Sequence, residues 1–198
     1  ALVRANWTDE IHEEWMRNVE AGYGISRDIL GRVRTPMDCV ADDALIRAHR
    51  RYERWFPKTE AKDRPVAAAA LAARKRSGAE QATIVTWNPK HFDRKELAAV
   101  GLSCDSPDAF LCRLLAKSPE EVEAAFFRRR DNLRNPPKTS PECVEILAGQ
   151  GLKAFSRTIG ESIGKSSADG VMPQLRPAPH RPPSRRSGTR REATRRAG

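Results

Sequence analysis

Apolar positions along the first half of the chain recur at helical spacing. Behind Trp7-Thr8-Asp9-Glu10, Ile11, Trp15 and Val19 repeat every four residues, which predicts a helix capped by Thr8 and ended by Gly22-Tyr23-Gly24. Ser26 opens a second helix through Ile29, Leu30 and Val33, with Pro36 as its breaker. Leu45, Ile46 and Tyr52 predict more helix ahead of Trp55-Phe56-Pro57. Asp63 heads the strongest helical window, VAAAALAARKR, with Pro65 in the first turn, Arg74 to Arg76 in the last and Ser77-Gly78 as the stop.

The pattern then changes. ATIVTWN is a short β-branched run of the kind found in buried strands, closed by Asn88-Pro89. A short helix from Asp93 to Val100 and a brief strand at Leu102-Ser103-Cys104 follow. Ser106-Pro107 and Ser118-Pro119 each start a further helix, and residues 140–160 add one more. The α–β–α order from Asp63 to Val100 predicts an α/β domain with a small parallel sheet flanked by helices. After about Gly160 the apolar pattern fades and Pro, Arg and Ser dominate, which predicts disorder. The expected division is therefore 1–130 for the α/β domain, 131–160 for a helical extension and 161–198 for a basic tail.

Charge alters this picture less than its total suggests. The net charge is +10, but eight arginines and one glutamate lie between Arg176 and Gly198. The high isoelectric point therefore belongs mostly to the tail and does not make the folded part a nucleic-acid binder. Cys39, Cys104, Cys112 and Cys143 are scattered without a CxxC, which argues against a cysteine zinc site and for buried, reduced thiols in a cytoplasmic protein. No apolar run reaches membrane-spanning length.

Three positions are candidates for chemistry. Glu14 lies on the first helix, Asp63 heads the Ala-rich helix, and Asn88 ends the convincing strand with Thr86 two residues before it. Ligands in open α/β sheets bind outside the carboxyl ends of strands, so converging oxygen ligands there would suit Mg²⁺ or Mn²⁺. Singly, each has a plainer explanation: a solvated helix face for Glu14, a cap for Asp63, a turn for Asn88. His91, with no partner one helical turn away, reads as a surface histidine.

In combination they resemble a family. WTDEIHEEWMRNV, KDRPVAAAALAA, ATIVTWNPKHF and GLSCDSPDAFLCRLLAKSPEEV are similar, in order and spacing, to segments of bacterial PIN-domain proteins, the VapC-like toxins of toxin–antitoxin systems. The resemblance covers about Trp7 to Phe127 and implies a PIN-like fold and a metal-dependent endoribonuclease using Mg²⁺ or Mn²⁺. It makes Glu14 and Asp63 the metal ligands and Asn88 the third catalytic position, with Thr86 supporting it. It further implies an RNA substrate, a small antitoxin partner and a homodimer.

Only six residues precede Trp7, so the family's first strand and its aspartate are missing from this sequence, and Asn88 brings no charge. The expectation is a weak or inactive nuclease in this form, with activity restored by an upstream segment of a longer reading frame. Other functional classes remain open: a non-catalytic RNA-binding protein using Arg128 to Arg130 and the tail, or a module that binds an antitoxin-like partner.

Overall fold

The computed structural model describes residues 2–39 and 43–168. They form a mostly helical chain with a two-stranded parallel sheet. Helix α1 spans Asp9–Tyr23, and the Thr8 hydroxyl accepts from the Ile11 amide at 3.1 Å, as an N-cap should. Gly24 ends it in the left-handed region at φ 65, where a side chain would be strained. The fully buried residues of α1 are His12 and Met16. His12 joins α1 to α2 (Arg27–Asp38): Trp15 Nε1 donates to its Nδ1, and its Nε2 meets Asp38 Oδ1, both at 2.9 Å. Indole nitrogen can only donate, so Nδ1 accepts and the ring proton sits on Nε2.

Pro36 does not break α2. It falls in the last turn, where its missing N–H and the clash with the carbonyl four residues back disturb only the helix end. Leu45 and Ile46 are extended rather than helical. Trp7 N–H donates to Ala44 O and Ile46 N–H to Trp7 O, forming a parallel bridge between Trp7 and Leu45. Ala44 and Ile46 are buried and Leu45 half-buried, the alternation of a strand. Helical structure resumes only as a 3₁₀ turn over Arg50–Trp55.

Helix α3 (Arg64–Ser77) buries Ala67, Ala68, Leu71 and Ala73, and its small side chains let the sheet approach closely. Strand β1 (Ala82–Val85) pairs in parallel with β2 (Leu102–Asp105), from Ala82 opposite Leu102 to Val85 opposite Asp105. Between them runs α4 (Arg94–Ala99), capped by the Asp93 carboxylate. Gly101 makes the turn into β2 possible. Its φ is 67, and a Cβ there would lie 2.6 Å from Arg74 Nε and 2.9 Å from Glu80 O. Phe56, Leu71, Ile84, Phe92, Leu97 and Leu102 form the core of this half.

A second core lies between four helices, α5 (Pro107–Lys117), α6 (Pro119–Asp131), α7 (Ser140–Gly149) and α8 (Lys153–Ala168). Leu115, Val122, Phe126, Phe155, Ile159 and Ile163 fill it. The single helix expected over 140–160 is thus two, split around Gly151 at φ 89. The residues 161–168 assigned to the tail continue α8, because buried Ile163 holds them to the core. The rest of the tail, 169–198, lies outside the described residues. Of the four cysteines, Cys143 is buried, Cys104 and Cys112 are half-buried and Cys39 is exposed, and all four are free thiols. No described helix is long and apolar enough to cross a membrane.

Candidate metal centre

Two loops build the candidate centre, one leading into α3 and one leaving β1. Thr59, buried in the first, is held from several sides. Its amide and hydroxyl bond Glu96 Oε2, at 3.1 and 3.3 Å, and its carbonyl accepts from Arg64 Nε at 3.0 Å. The Lys58 amide donates to the other Glu96 oxygen at 2.7 Å. The next residue, Glu60, receives the Asp63 and Arg64 amides on its carbonyl, and its own amide donates to His91 O at 3.0 Å. That last bond ties the two loops together. In the second loop, Thr86 Oγ1 accepts from the Asn88 amide at 3.2 Å, and Asn88 O accepts from the His91 amide at 3.1 Å.

This scaffold places three ligand-type side chains side by side. His91 Nδ1 lies 3.1 Å from Asp63 Oδ2, and His91 Nε2 lies 3.5 Å from Glu60 Oε1. One ligand atom from each of Glu60, Asp63 and His91 falls within 4.8 Å of the other two, the only such trio among the described residues. Asp63 occupies the N-cap position of α3, yet its side chain makes no capping bond. The carboxylate is turned to His91 instead, so capping does not explain it.

His91 is not a surface histidine: its side chain is 14% exposed, against 23% for Asp63 and 50% for Glu60. Lys62 Nζ approaches Glu60 Oε2 at 3.6 Å from the solvent side. A hard divalent cation takes oxygen and imidazole donors at about 2.0–2.6 Å, so donors around one ion lie roughly 3–4 Å apart. Within 4.8 Å of one another, one oxygen from each acid and one ring nitrogen of His91 can converge on an ion after a small closure, and two carboxylates supply charge to hold it. The donor types suit a divalent cation, with imidazole favouring Mn²⁺ over Mg²⁺.

The sequence-predicted residues fare unequally. Asp63 belongs to the trio. Thr86 and Asn88 shape the loop that presents His91, through hydroxyl and main-chain bonds, while the Asn88 side chain is exposed. Glu14 is exposed on α1, and its side chain makes no hydrogen bond or ion pair with Asp63, Asn88 or any other described residue. Glu60 escaped the sequence reading. Its signal was an acid three residues before a flagged aspartate, in the turn TEAKD. His91 was discounted for want of a helical partner, a criterion that does not bind ligands drawn from separate loops.

Residues 107–161 match the family model described as VapC50 C-terminal domain. The match begins at the first residue of α5 and ends inside α8, so it covers the four-helix core and relates this part of the chain to VapC-type toxins. No curated protein and no solved structure matches the chain.

Proposed function

We propose that the chain is part of a metal-dependent endoribonuclease of the toxin–antitoxin type, with a PIN-like α/β domain followed by the helical unit that starts near Ser106. The observation that carries this reading is the meeting of Glu60, Asp63 and His91 beside the loop that leaves β1, in a chain whose C-terminal helices resemble a VapC-type domain. Asp63 is the central ligand, with Glu60 and His91 completing the set and Thr86 and Asn88 fixing the loop that carries His91. A bound divalent cation supplies an activated water and charge neutralisation at a phosphodiester. The protein's own part is to hold the carboxylates in register through the Glu60–His91 main-chain bond and to orient the imidazole. RNA is the substrate, a small antitoxin the natural partner and a homodimer the natural assembly. With two carboxylates in reach, cation affinity is low and cleavage by this form is weak or absent.

A second reading is favoured by one detail: both ring nitrogens of His91 are engaged, one by each acid. Those contacts pair the three side chains with one another, leaving a non-catalytic module that binds RNA or an antitoxin-like partner.

Mn²⁺ titration followed by electron paramagnetic resonance separates the two, read beside cleavage of a fluorescent RNA. The metal reading expects saturable Mn²⁺ binding that falls at least tenfold in Asp63→Ala and in Glu60→Gln, and is unchanged in Glu14→Gln. Loss in Glu14→Gln with Glu60→Gln unaffected restores Glu14 as the ligand. Absence of saturable binding leaves the trio paired within itself and ends the nuclease reading for this form.

A further inference from the structure

Between the 3₁₀ turn Arg50–Trp55 and the last turns of α3 lies a cleft of about 310 Å³. Arg47, Arg51, Lys75 and Arg76 line it together with Tyr52, and no acid does. Arg76 is already engaged, by Asp43 Oδ2 at 3.6 Å and by the Leu45 carbonyl. The other three cations are exposed and have no carboxylate partner among the described residues. Arg51 and Lys75 lie over the Tyr52 ring, at 4.9 and 5.5 Å, and Lys75 is also 5.5 Å from the Trp55 ring. The Arg47 side chain has no hydrogen bond, ion pair or ring contact with a described residue. Asp9 and Glu10 border an adjoining hollow that shares Arg47 and Arg51, but they pair with Arg34 and Arg50.

The dipole of α3 accounts for cations at its C-terminal end, Lys75 and Arg76. It does not account for Arg47 and Arg51, which come from another segment and converge on the same cleft. Ala48, beside Arg47, has φ 54, a left-handed conformation that a residue with a side chain keeps only under constraint. Three like charges gathered without an acid repel one another, and a bound anion relieves that. We propose that this cleft receives a phosphate of a single-stranded RNA, with Trp55 as the platform for the adjoining base. Guanidinium N–H groups match phosphate oxygens in pairs. Trp55, 46% exposed, sets its indole beside the Lys75 ammonium, and stacking there needs a base free of a duplex. An acidic peptide would satisfy the cations but would leave the indole unused. Five positions after Trp55 comes Glu60 of the candidate metal centre, at most about 18 Å away even along a fully extended chain. The inference rests on RNA being the ligand, as proposed above. Its test is run without divalent cations, so its failure and that of the metal reading are told apart.

The full chain is titrated, with EDTA present, into a fluorescein-labelled oligouridylate carrying 4-thiouridine. Anisotropy over a salt series gives the affinity, and near-ultraviolet cross-linking gives the point of contact. Arg47→Ala and Lys75→Ala should each weaken binding at least threefold and lower the slope of log affinity against log salt by about 0.7. Trp55→Leu should weaken binding at least threefold with the slope unchanged, and remove a cross-link that the parent forms at residue 55. Arg32→Ala, at an exposed position of α2, should change neither affinity nor slope. The basic segment beyond Ala168 is common to all these forms and contributes equally to each. Arg47 has no described partner to lose, so Arg47→Ala decides even if Lys75→Ala melts early. Parent-like binding by Arg47→Ala, or an equal loss in Arg32→Ala, overturns the proposal. So do cross-links confined to residues 169–198, and equal affinity for the oligonucleotide in a duplex. Equal competition by polyglutamate of the same charge also overturns it, because the cleft then takes acidic peptides as readily as RNA.

Discussion

Asp63 and Glu142 are both acids at helix starts, and they do opposite things. Asp63 withholds its carboxylate from α3 and gives it to His91. Glu142 turns back to close a capping box on α7, taking the Thr139 amide at 2.7 Å and hydroxyl at 2.8 Å, with Lys138 Nζ at 3.1 Å. Those partners, the amide first and then the hydroxyl and the ammonium, pull its carboxyl from the ordinary 4.5 down to about 2. A folded value below the unfolded one means that the charged form stabilises the fold. The contribution is fully present above about pH 4.5 and fades as pH falls toward 2. Thermal melts of the parent and Glu142→Gln should therefore differ at pH 7 and converge near pH 2. A gap that persists at pH 2 would show that shape rather than charge sets the cap. Residue identity in a sequence announces an acid at a helix start but not which way it turns. Asp63 was legible as a position, whereas Glu60 and His91 were not, because a main-chain bond across 31 residues brings them together.

Elements were most legible where a cap and a breaker agree. Thr8 with Gly24, and the Ser-Pro pairs before α5 and α6, mark their helices within a residue or two. Reading failed where packing outvoted local preference. Leu45 and Ile46 lie in a helix-permissive stretch, but burial on alternate positions draws them into an extended pair with Trp7. Helix α8 escaped because its N-terminus is capped from afar. The Asp108 carboxylate, on the first turn of α5, accepts from the Ala154 and Phe155 amides at 3.0 and 2.8 Å. A negative group at that end satisfies two orphan donors and meets the positive end of the helix dipole. Asp108→Ala should destabilise the four-helix core by about 1–3 kcal/mol, visible as a lower denaturation midpoint with an unchanged slope. Asp108→Asn, which keeps one acceptor oxygen, should recover part of the loss. Equal midpoints for parent and Asp108→Ala would leave α8 held by Phe155, Ile159 and Ile163 alone.

At the scale of the whole molecule, two cores and a charge gradient matter most. Trp87, just past β1, lies beside Gly151 of the helical unit, where a Cβ would meet its ring at 3.3 Å. Helices on either side of residue 130 look alike locally, and a shared core that includes Val122, Phe126, Phe155 and Ile159 joins them. Charge was legible from the start. Beyond Ala168 the chain carries eight arginines against Asp169 and Glu192, with no aromatic residue to stack on a base. If that segment contacts RNA it does so through phosphates, releasing counterions, and the slope of log affinity against log salt rises by about 0.7 for each arginine engaged on a single strand. The form ending at Ala168 keeps Ile163 and so should melt with the full chain, whereas a cut at residue 160 removes Ile163 and should melt lower. On a labelled single-stranded RNA, the full chain should bind with a steep salt dependence that the 1–168 form largely lacks. Identical slopes for the two forms would assign RNA affinity to the folded part, where Arg128 and Arg129 on α6 are the cations to remove next.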